Sequence, residues 1–241
     1  MLYIIASPIG NLKDISFRAI EILKAVDIIF CEDTRISKRL LDYYQINKKL
    51  DSFHRHSSLG KIDKILALLK KGQNIAYLSD AGTPGISDPV GKLVQAIVKK
   101  FPEENIIESI PGASALTVAL SLSGLNADKF LFLGFLPHKK GKETLLKEII
   151  NSKKTIAFFE SVYRIIKTLD KLKDLGFQKD RKIVVCRELT KKFETIYRGN
   201  LEKVIQDLKN DRVKGEFVVI VSAKSAVSAP GGDPPPRPCS A

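Results

Sequence analysis

Short apolar runs alternate with segments of helical period along nearly the whole chain, and this alternation restricts the fold more than any other feature. Residues 2–6, 27–31, 50–53, 74–78 and 105–110 are short, apolar and stopped by turn-forming residues, as buried strands are. Residues 15–26 place Ile15, Ala19, Ile22, Leu23 and Val26 at helical spacing, with Asp14 a candidate N-cap. Thr34 stands where it would cap the next helix, whose apolar face is Leu40, Leu41 and Tyr44. A third, amphipathic helix covers 59–70, with Gly72 where a C-terminal glycine belongs. Helices at 91–100 and 114–122 complete the first half. The pattern pauses at Ser123-Gly124-Leu125-Asn126 and resumes with strands at 130–135, 155–159, 182–187, 193–198 and 217–222. Helices fall at 142–150, 163–175 (closed by Gly176) and 201–209, and strand 193–198 is near enough to 182–187 to pair with it. The expected fold is α/β, two α/β lobes over 1–122 and 123–224 with a cleft between them.

Composition narrows the class. The 241 residues accommodate one large domain or two of about 110 each. No apolar run nears the ~20 residues that span a bilayer, and no signal peptide precedes the first strand. Cys31, Cys186 and Cys239 are widely spaced, odd in number and without metal-ligand spacing, which points to a reduced, cytoplasmic protein. His54 and His56 would share one face of a strand, yet no cysteine or third histidine lies near, so a surface loop is the better reading than a metal site. Residues 225–241 hold five of the eleven prolines and cannot form a core; a disordered tail is expected there. The net charge of +13, from 40 basic against 27 acidic residues, points to a polyanion, nucleic acid first. A lysine-rich solvated surface is the alternative.

The densest stretch of turn chemistry is Leu78-Ser79-Asp80-Ala81-Gly82-Thr83-Pro84-Gly85-Ile86-Ser87-Asp88-Pro89, between a strand and a helix. A loop at the carboxyl end of a strand in an α/β sheet is where ligands settle. Gly82 and Gly85 allow close backbone approach, while Pro84 and Pro89 stiffen the path. An ordinary long connection would also look like this. Other phosphate and nucleophile signatures are missing. No Gly-x-Gly-x-x-Gly, no Gly-x-x-x-x-Gly-Lys-Ser/Thr and no Gly-x-Ser-x-Gly occurs.

Five motifs stand in a fixed order: Ala6-Ser7-Pro8-Ile9-Gly10-Asn11-Leu12, Glu32-Asp33-Thr34-Arg35, Ser79 to Pro89, Pro111-Gly112-Ala113-Ser114-Ala115, and Arg187-Glu188-Leu189-Thr190-Lys191. Together they resemble the small-subunit ribosomal RNA cytidine 2′-O-methyltransferases of the tetrapyrrole (precorrin) methylase superfamily, over roughly residues 1–224. Three departures are expected to matter: Val90 pushes the glycine that usually ends the long loop to Gly91, Phe159-Glu160-Ser161-Val162-Tyr163-Arg164 lacks a Pro-His pair, and the C-terminal helical segment of longer members has no counterpart in this sequence.

The resemblance implies S-adenosylmethionine in the cleft, held by Pro8, Ile9, Asp80, Gly82, Thr83, Ile86, Ser87, Ser114, Ala115, Phe159 and Glu216. Ser114 would lie near a helix N-terminus able to meet a carboxylate. It further implies methylation of a cytidine ribose in small-subunit (16S) ribosomal RNA, free or in the assembled 30S subunit, by a homodimer. Glu32 or Asp33 would orient the ribose, Arg35 and Arg187 would hold phosphates, and Glu160, Glu188 and Lys191 are further candidates at strand ends. For each of these an ion pair that merely fixes its loop is an equal reading. Arg35, Lys38, Arg39, Arg55, Lys139, Lys140, Lys142, Arg164, Lys191 and Lys192 would bind RNA in a salt-sensitive way. A precorrin or corrin ring methylase and a non-catalytic ribosome-assembly factor that binds RNA remain as alternatives.

Overall fold

Strand and helix alternate in the computed structural model as they do in the sequence pattern, with ten strands and eight α-helices among the described residues. Those residues are 1–54, 57, 59–211 and 214–224. Arg55, His56 and the expected tail at 225–241 lie outside them. The chain forms two compact units, one of Met1–Leu122 with Cys186–Thr195, the other of Ser123–Val185 with the residues from Ile196 on.

The first unit is built on a five-stranded sheet of β1 (Leu2–Ile5), β2 (Ile28–Cys31), β3 (Lys49–Ser52), β4 (Ile75–Leu78) and β5 (Ile107–Ile110), in the order β3-β2-β4-β1-β5. Every adjacent pair is parallel. The strands are apolar on both sides because helices cover both faces. On one face Ile5, Ile29, Cys31, Ala76 and Leu78 meet Ala19 and Leu23 of α1 (Phe17–Ala25) and Leu40 and Leu41 of α2 (Thr34–Tyr43). On the other, Leu2, Ile28, Phe30, Ile75 and Tyr77 meet Ile65 and Leu69 of α3 (Leu59–Lys70) and Val90, Leu93 and Ile97 of α4 (Val90–Lys100). Truncating one such fully enclosed leucine to alanine costs about 2–5 kcal/mol.

The topology singles out β4. Connections β1-α1-β2 and β2-α2-β3 move toward the β3 edge over one face, and β3-α3-β4 and β4-α4-β5 move toward the β5 edge over the other. Crossovers of one hand require this pairing of direction and face. The chain therefore leaves β4 over the face opposite to that taken from both its neighbours, β1 and β2. The carboxyl ends of these three strands form a topological switch point. A fifth helix, α5 (Ala115–Ser123), follows β5.

Caps differ from expectation by a residue or two. Ser16, not Asp14, caps α1 by accepting the Ala19 N–H at 3.1 Å, because Asn11–Asp14 close a short 3₁₀ turn first. Asp33, not Thr34, caps α2, accepting the Arg35 N–H at 2.8 Å. Gly72 ends α3 and Gly176 ends the helix Ile165–Asp174, at φ of 76° and 87°, as placed from the sequence.

A second five-stranded sheet comprises β6 (Phe130–Phe135), β7 (Thr155–Ser161), β8 (Ile183–Arg187), β9 (Thr195–Gly199) and β10 (Glu216–Val221), ordered β6-β7-β10-β8-β9. Here β6 and β7 run parallel and β10 antiparallel to β7. Helices α6 (Lys142–Asn151), α7 (Ile165–Asp174) and α8 (Leu201–Asn210) pack Leu146, Ile149, Leu169, Leu172, Val204 and Leu208 onto Ile156, Phe158, Val185, Val219 and Val221. The buried Arg181 side chain donates to the carbonyls of Ile149 (3.0 Å), Ile150 (2.7 Å) and Ser222, closing the C-terminal end of α6. A register shift between Phe132 and Phe135, with Gly134 at φ 61°, bulges β6 beside Phe159.

Candidate active site

Three loops of the first unit converge at the carboxyl ends of β1, β4 and β5. The Ser7 N–H donates to the Gly82 carbonyl at 3.0 Å and the Gly82 N–H to the Ser7 carbonyl at 3.1 Å. Behind this bridge the buried Ser7 hydroxyl donates to the Ser79 carbonyl (3.0 Å) and the Ser79 hydroxyl to the Gly82 carbonyl (2.9 Å). Gly82 has φ of 78°, and a Cβ there would sit 3.3 Å from Ile9 Cγ2 and 3.5 Å from the Ala113 carbonyl oxygen. The Thr83 hydroxyl donates to the same Ala113 carbonyl at 3.1 Å. On the far side, a Cβ on Gly112 would come 2.9 Å from Ala6 Cβ. The site is thus lined by backbone and small side chains, a shape that larger residues would fill.

The rest of the long loop is held by Asp88, which accepts the Gly85 N–H (2.6 Å) and the Val90 N–H (3.0 Å). Ile86 and Ser87 are exposed at its tip, while Val90 is buried in the core as the first residue of α4. Ser114 and Ala115 are half-buried where α5 begins, and the Ser114 carbonyl accepts the Val118 N–H at 3.0 Å. Of the eleven expected cofactor contacts, Pro8, Ile9, Asp80, Gly82, Thr83, Ile86, Ser87, Ser114 and Ala115 lie on these three loops.

Carboxylates gather beside them at the ends of β2 and β4. Glu32 Oε1 accepts the Asp80 N–H at 3.2 Å, and Asp80 Oδ1 accepts the Asp33 N–H at 2.9 Å. Asp33 is bidentate with Arg35, at 3.0 Å from Nε and 2.6 Å from the terminal nitrogen. The two aspartates are driven apart in acidity. The Arg35 guanidinium, then the Arg35 N–H, lower Asp33 to about 2. Burial, helped by the neighbouring Asp33 charge, raises Asp80 above the ordinary aspartate range. Below them Tyr77 is enclosed in β4, its ring edge-on to Phe53 at 6.0 Å and its hydroxyl without a hydrogen-bond partner among the described residues. Burial first, then Glu32, Asp88 and Asp80, push that phenol far above its usual range.

A fourth loop of the same unit, after β8, abuts the first. Arg187 is buried, and Lys191 Nζ pairs with Glu188 Oε1 at 2.9 Å. The Asn11 N–H donates to Thr190 Oγ1 at 3.1 Å. A Cβ on Gly10 would fall 2.4 Å from Lys191 Cγ and 2.9 Å from the Leu189 carbonyl oxygen.

The remaining sequence candidates lie in the second unit. Phe159 is half-buried, edge-to-face with Phe132 (4.9 Å) and tilted against Phe135 (5.3 Å), and Glu216 opens β10 opposite Ser161. Glu160 is buried, pairs with Arg164 at 2.7 Å and accepts the Thr168 hydroxyl at 2.8 Å. Lys142 joins that cluster through Thr168 at 2.9 Å, and burial lowers its pKa below the ordinary lysine value. Of the expected basic set, Arg35, Lys38, Arg39, Lys139, Lys140 and Lys192 are exposed. Ser7, Ser79, Asp88 and Thr190 were absent from the candidate residues. A hydroxyl directly after an apolar strand was the available signal for the two serines.

The family model described as Tetrapyrrole (Corrin/Porphyrin) Methylases matches residues 1–205. Ribosomal RNA small subunit methyltransferase I of Rickettsia prowazekii is 42% identical over 227 residues, covering 94% of this chain and 79% of that one. The protein of the same name from Thermotoga maritima is 42% identical over 224 residues, covering 92% and 98%. Among solved structures, uroporphyrin-III C-methyltransferase from Thermus thermophilus complexed with S-adenosylhomocysteine superposes with a TM-score of 0.62 at 16% identity, over 92% of this chain and 91% of that one. That likeness is one of fold.

Proposed function

The chain belongs to the tetrapyrrole (corrin/porphyrin) methylase family, and from that premise we propose that it methylates the ribose 2′-hydroxyl of a cytidine in small-subunit ribosomal RNA, using S-adenosylmethionine. The reading rests on the 42% identity to small-subunit ribosomal RNA methyltransferases along more than nine-tenths of the chain. A tetrapyrrole ring as substrate has only the family's name and a fold-level likeness behind it.

The donor, when bound, supplies an electrophilic methyl group on a sulfonium. Its size and flat adenosine suit a cradle of backbone and small side chains, and Gly82, Thr83, Ile9 and Ala115 would hold it. The chain's own task is to align a ribose oxygen and accept its proton. Alignment alone is worth about 7–11 kcal/mol in favourable intramolecular models. Asp33, held near 2 by Arg35, is a weak base that serves as a helix cap. Asp80, raised by burial, is the stronger proton acceptor of the pair, and Glu32 beside it orients the ribose. With the donor held by those residues and supplying the methyl group, Asp80 would take the proton that the ribose hydroxyl gives up.

Exposed Arg39, Lys139, Lys140 and Lys192 add electrostatic attraction for the RNA backbone. The enzyme works in the cytoplasm on the 30S subunit as a homodimer, and Phe130, Leu131 and Phe135, exposed along β6, are apolar surface that a second copy would cover. No described helix is long and apolar enough to cross a membrane.

The test is to incubate the protein with methyl-labelled S-adenosylmethionine and small ribosomal subunits and to map the label. Label on one cytidine ribose is expected, and Asp80→Asn should lower turnover by about 10²–10⁴-fold while binding of the demethylated cofactor persists. Label on a base, or on uroporphyrinogen instead of RNA, would sink the assignment.

A further inference from the structure

Two residues of the loop after β8 adopt a backbone conformation that their side chains disfavour. Glu188 has φ of 50° and Thr190 of 65°. A β-branched side chain at positive φ crowds the following carbonyl and is an outlier wherever it occurs. Gln45, the third such non-glycine residue among those described, has φ of 54° just past the end of α2, where a left-handed residue is an ordinary helix terminator. Glu188 and Thr190 end no helix.

What the conformation achieves is visible in the hydrogen bonds. Thr190 turns Oγ1 outward to accept the Asn11 N–H at 3.1 Å, while its own N–H donates to Glu194 Oε2 at 2.6 Å. The Lys191 N–H donates to the Glu188 carbonyl at 3.0 Å, tightening the turn. The neighbouring Gly10 lets the two loops meet closely, since a Cβ there would lie 2.7 Å from the same Thr190 Oγ1. One residue further along, Ile9 packs on Gly82. Strain that persists in such a place indicates a job in the site rather than a contribution to the fold.

We propose that Thr190 is a positioning residue for methyl transfer: it holds a strained backbone so that its hydroxyl fixes Asn11, and through Asn11 the Ile9–Gly10 wall against Gly82. This assignment rests on the methyltransferase reading. Thr190 touches neither the reacting atoms nor the donor; it acts through the first loop. Losing it should therefore weaken donor affinity and raise its KM more than it lowers kcat.

The experiment compares wild type, T190A, T190S and T190G by calorimetric titration with S-adenosylhomocysteine, thermal melting, and methylation of small subunits. T190A should weaken binding about 3–10-fold, as loss of one hydrogen bond does, and T190S should restore it to within about 2-fold. T190G removes the hydroxyl but fits the left-handed backbone, so it should melt above T190A while binding no better. Stability and affinity then part company, which a purely structural residue would not allow. Wild-type affinity in T190A, or recovery of affinity together with melting temperature in T190G, would overturn the proposal while the methyltransferase reading stands. A wild-type protein that binds no S-adenosylhomocysteine would overturn both.

Discussion

Tyr77 shows at the scale of one side chain what the site imposes on its surroundings. Its hydroxyl is enclosed in β4 with no partner among the described residues, beneath Glu32, Asp80 and Asp88. An enclosed polar group left unpaired costs about 1–3 kcal/mol, so Tyr77→Phe should raise stability by about 1 kcal/mol in urea unfolding. A loss of stability would mean that the hydroxyl is paired after all. Tyr77 was legible in the sequence as a strand residue and nothing more, because a tyrosine in an apolar run reads the same whether its hydroxyl is paired or not. Glu32, Asp33 and Asp80 were legible as candidates because charge directly after a buried strand is out of character. The opposite shifts in acidity of the two aspartates were not, since these depend on Arg35 folding back onto Asp33 and on the depth at which Asp80 sits.

At the scale of elements, the start of α2 makes a pH-dependent contribution whose sign is fixed. Asp33 is lowered to about 2 by Arg35 and the first turn of the helix, against about 3.9 in an unfolded chain. Its contribution is complete above the unfolded value and is lost as pH falls through the folded one, between about pH 4 and 2. Asp33→Asn keeps a good capping side chain but cannot titrate, so the acid decline of the melting temperature in that window should be shallower in the variant than in wild type. Equal slopes would remove Asp33 from the acid response. The elements themselves were readable because strand and helix periods differ so plainly along this chain. Cap positions were less so: Asp14 and Ser16 are both good caps, and only the intervening 3₁₀ turn decides between them. The bulge at Gly134 and the return of Cys186–Thr195 to the first unit left no local trace, since both are set by partners distant in sequence.

At the scale of the whole molecule, 40 basic residues against 27 acidic ones set how it meets a polyanion. Neutralising about six phosphates would cost about a thousandfold in affinity between about 50 and 200 mM salt. Fluorescence anisotropy with a labelled fragment of small-subunit RNA should show that steep dependence, and a flat one would mean that the lysines serve only solubility. The reversal of connections at β4 has a consequence of a different kind. Because the chain leaves β4 over the face opposite to that taken from β1 and β2, the sheet alone creates the opening, before any particular side chain is chosen to line it. Selection can then rewrite the lining without touching the frame, and so an architecture shared at 16% identity with a uroporphyrin-III enzyme is free to serve chemically unlike acceptors.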